Sequence, residues 1–124
     1  MKKLITSLLV ALLLSLGTSA ALAQSETAPK SVIHVVTVSF KEGTTPDQIQ
    51  AALKGAQELP KNFKGITRVW TRTIKAQGDR THAIVMEFAS EQALKDYAGS
   101  DAHKEWYKAY TPIRAQSTTF DITN

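Results

Sequence analysis

The chain contains no cysteine among its 124 residues. It therefore cannot form a disulfide, and an exported form cannot carry a lipid-anchored cysteine. A small domain of this kind must be stable by packing alone, or by packing combined with self-association. The sequence also has no run of lysine and arginine with interleaved aromatic residues, which gives nucleic acid binding little support.

The N-terminus has the pattern of a secretory signal peptide. Residues 1–3 are basic at two positions, residues 4–16 are apolar, and a small-residue segment ends in Ala21-x-Ala23. A membrane anchor is the alternative, but the apolar run is shorter than the roughly 20 residues that span a bilayer. We predict a signal peptide over residues 1–23, cleavage after Ala23, and a secreted or periplasmic protein that is not attached to a membrane. Cleavage lowers the formal charge of +4 to about +2, because two lysines are lost.

A strand is predicted directly after a flexible lead-in. Residues 24–31 are polar, as expected for a segment exposed by cleavage. Residues 32–40 are rich in β-branched side chains, which favours a strand. Its alternation places His34 on one face with Val36, Val38 and Phe40. Both faces are largely apolar, so this strand is predicted to be central.

A helix with a clear start follows. Thr45 suits the N-cap, Pro46 the first helical position, and Gln48 completes a capping box. Apolar residues then recur at helical spacing as far as Leu59. Pro60 is predicted to end this helix and to begin a loop.

Two further strands form a predicted hairpin. Residues 66–74 make the first, and residues 75–79 form a loop that contains a glycine. Residues 81–88 make the second, with His82 on its apolar face. Strict alternation in the strand of residues 66–74 groups Ile66 with Arg68, Trp70 and Arg72. Two arginines on one face indicate an edge strand or a strand at a subunit contact.

The last third begins with a short helix. Ser90 is a suitable N-cap, Tyr97 lies on the inward stripe, and Gly99 is predicted to end the helix. A second helix starts at once, capped by Ser100 or Asp101. Its inward face carries an aromatic stripe at helical spacing: His103, Trp106, Tyr107 and Tyr110. Residues 115–122 form a final, more polar strand.

This order of elements predicts one α+β domain over residues 32–123. The pattern βαββαβ is the ferredoxin-like unit, with an antiparallel four-stranded sheet. Helices cover one face of such a sheet, and here the other face is left apolar and open. We therefore predict a homodimer that forms through the open face, a dimeric α+β barrel.

The chain resembles the stress-responsive A/B barrel (Dabb) family. The resemblance covers residues 33–122. It rests on His34 in the first strand, the Thr-His-Ala start of the third strand around His82, and Phe88 at that strand's end. It also rests on Tyr97 and on His103, which follows a few residues later. The resemblance implies a ferredoxin-like monomer that pairs sheet to sheet into a dimeric barrel.

The resemblance also implies roles for individual residues. In a polyketide cyclase of this fold, the position of His103 is the general base and that of Tyr97 is its hydrogen-bonding partner. The positions of His34 and His82 line the pocket. One departure is that Asp101 stands where the family commonly has proline, which is expected to re-cap the helix and shift His103.

The predicted faces lead to the same candidate pocket. In a ferredoxin-like sheet the first and third strands are neighbours, so His34 and His82 are expected to lie close together under the helices. Tyr97 and His103 would point back at them, with Trp106 beside them. Polar groups that converge in an apolar cavity are typical of a small-molecule site, and histidine can move protons at neutral pH.

Several plainer interpretations stay open. The histidines could be core residues satisfied by the backbone or by Tyr97, and the aromatic stripe could serve packing alone. Three histidines can bind zinc, but these are far apart in sequence and lack an evident carboxylate. We predict neither a metal nor a cofactor. Arg68 and Arg72, beside Trp70, could hold an anion or simply form a solvated edge.

Three functions remain in view at this point. The first is a small-molecule-binding protein with no established catalysis. The second is a cofactor-independent cyclase or monooxygenase-type enzyme, with His103 as general base and Tyr97 as its partner. The third is a protein whose dimer is itself the function.

Overall fold

The structure, a computed structural model, describes residues 30–75 and 78–123. The predicted signal peptide and residues 24–29 of the predicted lead-in lie outside the described residues. In the part that is described, no helix is both long enough and apolar enough to cross a membrane. The elements follow in the order β1 (Val32–Phe40), α1 (Pro46–Gln57), α2 (Leu59–Asn62), β2 (Ile66–Thr73), β3 (His82–Phe88), α3 (Glu91–Tyr97), α4 (Asp101–Tyr110) and β4 (Arg114–Ile122).

The four strands form one antiparallel sheet in the order β2-β3-β1-β4. This confirms the predicted ferredoxin-like fold, with β1 in a central position and β2 at an edge. The helices pack on one face, where β-branched residues of β1 and β3 meet the apolar stripes of α1 and α4. The largest fully buried side chains of this core are Tyr110, Phe88, Leu59, Ile84, Met86, Val32 and Val38.

A bulge in β2 changes which residues face the helices. The register shifts between Ile66 and Arg68, so that Ile66 is buried on the helix-facing side together with Val69. Arg68, Trp70 and Arg72 stay on the opposite face. The prediction that Ile66 shares a face with the arginines was wrong, because one extra residue reverses the alternation of side chains.

The first helix begins as predicted and ends earlier. The Thr45 hydroxyl accepts a hydrogen bond from the backbone N–H of Gln48 at 3.2 Å, and the Gln48 side chain accepts one from the Thr45 N–H at 2.9 Å. The helix ends at Gln57, and Pro60 lies in the first turn of the short helix α2. The predicted stop at Pro60 was therefore wrong, since proline is tolerated in the first turn of a new helix.

The junction between α3 and α4 sets the position of His103. Gly99 turns the chain with φ +80°, a left-handed conformation that glycine adopts without strain. The Ser100 hydroxyl then accepts a hydrogen bond from the His103 N–H at 3.2 Å, so Ser100 is the N-cap. Asp101 is the first residue of α4, where its charge suits the helix dipole. The change from proline to aspartate therefore leaves the cap at Ser100.

The face of the sheet away from the helices is uncovered in the single chain, and its β1–β4 half is apolar at one end. Ile33 pairs with Ile122, and Val35 pairs with Phe120 across the β1–β4 ladder. Phe120 and Ile122 are 55% and 59% exposed, and they are the exposed large hydrophobic residues of the described chain. A patch of this kind is typical of an interaction surface.

Candidate functional site

A cavity of about 140 Å³ lies between the sheet and helices α3 and α4. Aromatic side chains of the helices form one wall, and polar side chains of β4 form much of the other. We call it the histidine pocket. It is lined by His34, Val36, Leu94, Tyr97, Ala98, His103, Trp106, Tyr107, Tyr110, Arg114, Ser117 and Thr119.

His82 does not belong to this pocket. In the β1–β3 ladder His34 pairs with Met86, whereas His82 pairs with Val38. The two histidines are thus offset by four residues, or roughly 13 Å along the strands. The prediction that they lie close together was wrong, because neighbouring strands do not imply neighbouring register positions.

His82 instead lines a second cavity at the other end of the sheet. Its Nδ1 lies 2.8 Å from the Thr81 hydroxyl, and its ring meets Phe40 edge to face at 5.2 Å. Burial lowers the pKa of His82. The contacts of His82 are therefore those of a satisfied histidine beside the core.

His34 forms a pair with Asp121, its cross-strand neighbour in β4. The Nδ1 of His34 lies 2.6 Å from Oδ1 of Asp121. A carboxylate can only accept, so neutral His34 carries its proton on Nδ1 and keeps the lone pair of Nε2. Sequence reasoning missed Asp121, because its place opposite His34 follows only from the β1–β4 register.

His103 has the opposite arrangement of donor and acceptor. The backbone N–H of Gly99 donates to Nδ1 of His103 at 3.2 Å, so the neutral ring carries its proton on Nε2. The ring packs between Tyr97 and Tyr107, at centroid distances of 4.9 and 3.9 Å. Burial lowers the pKa of His103, and His34 lowers it further whenever His34 itself is protonated. His103 thus offers a hydrogen-bond donor, whereas a general base must offer an acceptor.

Tyr97 is buried, and its hydroxyl has no hydrogen-bond partner among residues 30–75 and 78–123. The ring packs against Phe63 and Phe88, at 5.5 and 5.3 Å. Burial, followed by the charge of Tyr107, raises the pKa of the hydroxyl. No hydrogen bond joins it to His103 in the described structure; the two rings meet edge to face. Buried hydroxyls are normally paired, so this one is an unpaired polar group next to the wall of the pocket.

Trp106 forms a wall of the pocket and also holds the helices together. Its indole N–H donates to the carbonyl oxygen of Ala52 in α1 at 2.9 Å. Its ring stacks on Tyr110 at 4.6 Å and 12°. A Cβ at Gly55 would lie 3.1 Å from the Trp106 ring, which shows how closely α1 and α4 approach. The indole N–H is therefore already used, and a ligand can contact only the ring.

The described residues contain no group of three His, Cys, Asp or Glu side chains placed to hold a metal ion. His82, the third histidine, lies at the far end of the sheet from His34 and His103. The polar groups that converge on the pocket are therefore the acceptor Nε2 of His34, the donor Nε2 of His103 and the buried hydroxyl of Tyr97.

The fold and the pocket define a class of protein, the ferredoxin-like α+β domains that hold a small polar pocket between sheet and helices. Comparison with known families makes this specific. The chain belongs to the Dabb family, because the family model for the stress responsive A/B barrel domain matches residues 32–124. The predicted membership of the Dabb family is thereby confirmed.

The chain is also similar to individual proteins, at low sequence identity. The stress-response A/B barrel domain-containing protein HS1 of Arabidopsis thaliana is 28% identical over 85 residues, which cover 65% of this chain and 78% of HS1. A dimeric ferredoxin-like protein of unknown function from Thermobifida fusca has a TM-score of 0.66 at 16% identity, over 77% of this chain and 92% of its own. A hydroxynitrile lyase from Passiflora edulis has a TM-score of 0.69 at 18% identity, over 77% of this chain and 94% of its own.

Proposed function

We propose that this protein binds a small molecule in the histidine pocket. The observation that carries the proposal is a set of polar groups around one cavity that make no hydrogen bond within residues 30–75 and 78–123: the lone pair of His34 Nε2, the N–H of His103 Nε2 and the hydroxyl of Tyr97. A ligand that supplies hydrogen-bond partners to the two imidazole nitrogens gains binding free energy, and a partner for the buried Tyr97 hydroxyl would relieve the cost of leaving that group unpaired. The aromatic wall adds apolar contact, as in most ligand sites.

A thermal-shift screen with a matched pair of variants tests this proposal. The protein used is residues 24–124, with a library of small polar and aromatic compounds. A true ligand raises the melting temperature of the wild type and of His82→Ala, because His82 lies outside the pocket. It has little or no effect on His103→Ala. A ligand that stabilises His103→Ala as strongly as the wild type would remove the histidine pocket from the binding site.

A second candidate function is proton transfer without a cofactor, and the complementary protonation of the two histidines favours it. His34 Nε2 would remove a proton from a carbon next to a carbonyl group, and the electron pair of the broken C–H bond would pass to the carbonyl oxygen. The N–H of His103 would donate to that oxygen as it gains charge. Asp121 would stabilise the positive charge that forms on His34. This assignment reverses the role implied for His103 by the family resemblance.

Solvent deuterium exchange tests this second function. The protein is incubated in deuterated buffer with a panel of small carbon acids, and NMR records the loss of their C–H signals. Cleavage of mandelonitrile is added because a structural neighbour is named a hydroxynitrile lyase. Exchange that falls at least about a hundredfold in His34→Gln, and not in His82→Gln, supports His34 as the base. If exchange persists in His34→Gln and is lost in His103→Gln, the general base is His103 and the assignment to His34 is wrong.

We also propose that two copies associate through the open face of the sheet. The support is the exposed apolar surface around Phe120 and Ile122, together with a structural neighbour described as dimeric. Sedimentation of residues 24–124 is expected to give a dimer at micromolar concentration. Phe120→Asp is expected to give a monomer, whereas Ala51→Asp, which adds the same charge on the exposed side of α1, leaves the dimer intact. A wild-type monomer would contradict the proposal.

Export with cleavage after Ala23 is likewise a proposal, supported by the sequence pattern of residues 1–23. Mass spectrometry of the full-length protein expressed in a bacterial host is expected to find a product in the periplasm that begins at Gln24. Recovery of an uncleaved product in the cytoplasm would contradict it.

A further inference from the structure

The helix-facing side of β4 is polar along its length. Thr119 pairs with Val36 and Ser117 with Val38, both of which are buried core positions of β1. An irregularity in the ladder next to Phe40 then brings Arg114 to the same side. Ser117, Thr119 and Arg114 all line the histidine pocket. One wall of the pocket is therefore built from hydroxyl groups and a guanidinium group.

Arg114 is half-buried and has no carboxylate partner within ion-pair distance in the described part of the chain. Its guanidinium lies 5.5 Å from the centre of the Tyr110 ring and 6.0 Å from that of Tyr107. The Tyr110 hydroxyl is buried and makes no hydrogen bond of normal geometry in the same residues. Burial raises the pKa of this hydroxyl, and the neighbouring Arg114 and Ser117 oppose the rise. The tyrosine rings hold the cation beside the pocket without neutralising it.

The carboxylate of Asp121, which contacts the pocket residue His34, is already paired. Asp121 holds His34, so its negative charge is directed at the imidazole ring. An incoming anion would thus meet an uncompensated arginine and, next to it, the hydroxyl groups of Ser117 and Thr119. A guanidinium presents its N–H groups in a planar fork that fits the two oxygens of a carboxylate.

We infer that the ligand of the histidine pocket is a small carboxylate, bound through Arg114 with its uncharged part against the tyrosines. This inference rests on the proposed small-molecule site and gives the chemical class of its ligand. A carboxylate is compact enough for a cavity of about 140 Å³. The carboxylate end would lie at Arg114, and the rest of the molecule would extend toward His34 and His103.

Calorimetric titration with matched probes tests the inference. The probes are benzoate, its neutral isostere benzamide, and phenylphosphonate, each titrated into residues 24–124. We expect benzoate to bind at least about tenfold more tightly than benzamide, since hydrogen bonds to charged groups are stronger than neutral ones. Phenylphosphonate separates the anion classes: binding tighter than that of benzoate would overturn the carboxylate assignment.

Three variants then locate the anion. Arg114→Gln is expected to weaken benzoate at least about tenfold and to leave benzamide unchanged. Arg114→Lys keeps the positive charge but loses the planar pair of N–H donors. Its affinity for benzoate is therefore expected to lie between those of Arg114→Gln and the wild type. Lys104→Gln, which removes one exposed positive charge from α4, is expected to bind benzoate as the wild type does. Benzoate affinity that is the same in Arg114→Gln and in the wild type would overturn the inference.

The outcomes also separate this inference from the proposed function. If benzamide binds, its binding depends on His103 and the anions bind no more tightly, then the proposed binding function is supported and the carboxylate assignment fails. If no probe binds at millimolar concentration, the carboxylate assignment fails. The proposed binding function is then judged by the thermal-shift screen.

Discussion

Tyr97→Phe is expected to leave the protein as stable as the wild type, or more stable. The substitution removes a single oxygen atom from a side chain that is 4% exposed and has no hydrogen-bond partner among the described residues. Burying an unpaired hydroxyl costs about 1–3 kcal/mol. The ring itself, and its packing on Phe63 and Phe88, are kept. We therefore expect the free energy of unfolding to stay within about 0.5 kcal/mol of wild type or to rise by about 1 kcal/mol.

Trp106→Phe is the matched control, because its polar atom is satisfied. It loses the hydrogen bond to Ala52, about 1 kcal/mol, and part of the stacking and burial against Tyr110, about 1–2 kcal/mol more. The expected fall is about 2–3 kcal/mol. Urea denaturation of both variants at one protein concentration measures the difference, since self-association would make stability depend on concentration.

The result that would refute this reasoning is a Tyr97→Phe variant that loses more than about 1 kcal/mol, since such a loss would mean that the hydroxyl is paired in the folded protein. A stable Tyr97→Phe variant that no longer binds the ligand would place the hydroxyl in the site. Residues held for binding at a cost in stability commonly behave in this way.

Two further predictions concern the histidines and the glycines with positive φ. The folded-state pKa values of His82 and His103 lie below the ordinary value of 6.5, so the unfolded chain binds more protons and stability falls as pH drops below about 6.5. Urea denaturation between pH 7 and 5 should record this fall in the free energy of unfolding, and the fall should be smaller in His103→Gln and in His82→Gln. If the dependence of the unfolding free energy on pH is unchanged in both variants, these histidines are excluded as its cause. Gly99→Ala and Gly43→Ala should each lose about 1–2 kcal/mol, because both glycines have φ +80°. Only Gly99→Ala should also weaken ligand binding, since alanine disfavours the φ that aims the backbone N–H of residue 99 at His103. Equal binding by the two variants would contradict that role.

The fold followed from local patterns in the sequence. The alternation of residues 32–40 and the capping box at Thr45 each specified an element without reference to the rest of the chain. The sequential order of the elements then allowed few topologies, and the ferredoxin-like sheet is the one observed. Two local predictions, the face of Ile66 and the stop at Pro60, failed where a bulge and a second helical turn interrupted the regular period.

The pocket could be predicted only in part. His34, Tyr97, His103 and Trp106 do line one cavity, and their periodic positions placed each on an inward face. Periodicity gives the face on which a side chain lies but not its position along the strand. His82 was consequently placed beside His34, although the register separates them.

The sequence by itself determined the four strands, the helices other than α2, the order of these elements and the inward position of most of the candidate residues. These depend on interactions between residues a few positions apart. Only the tertiary structure decided that Asp121 holds His34, that Gly99 fixes the ring of His103, and that Arg114 reaches the same cavity. The pairing of His34 with Asp121 spans 87 positions and depends on strand register, which no local pattern encodes.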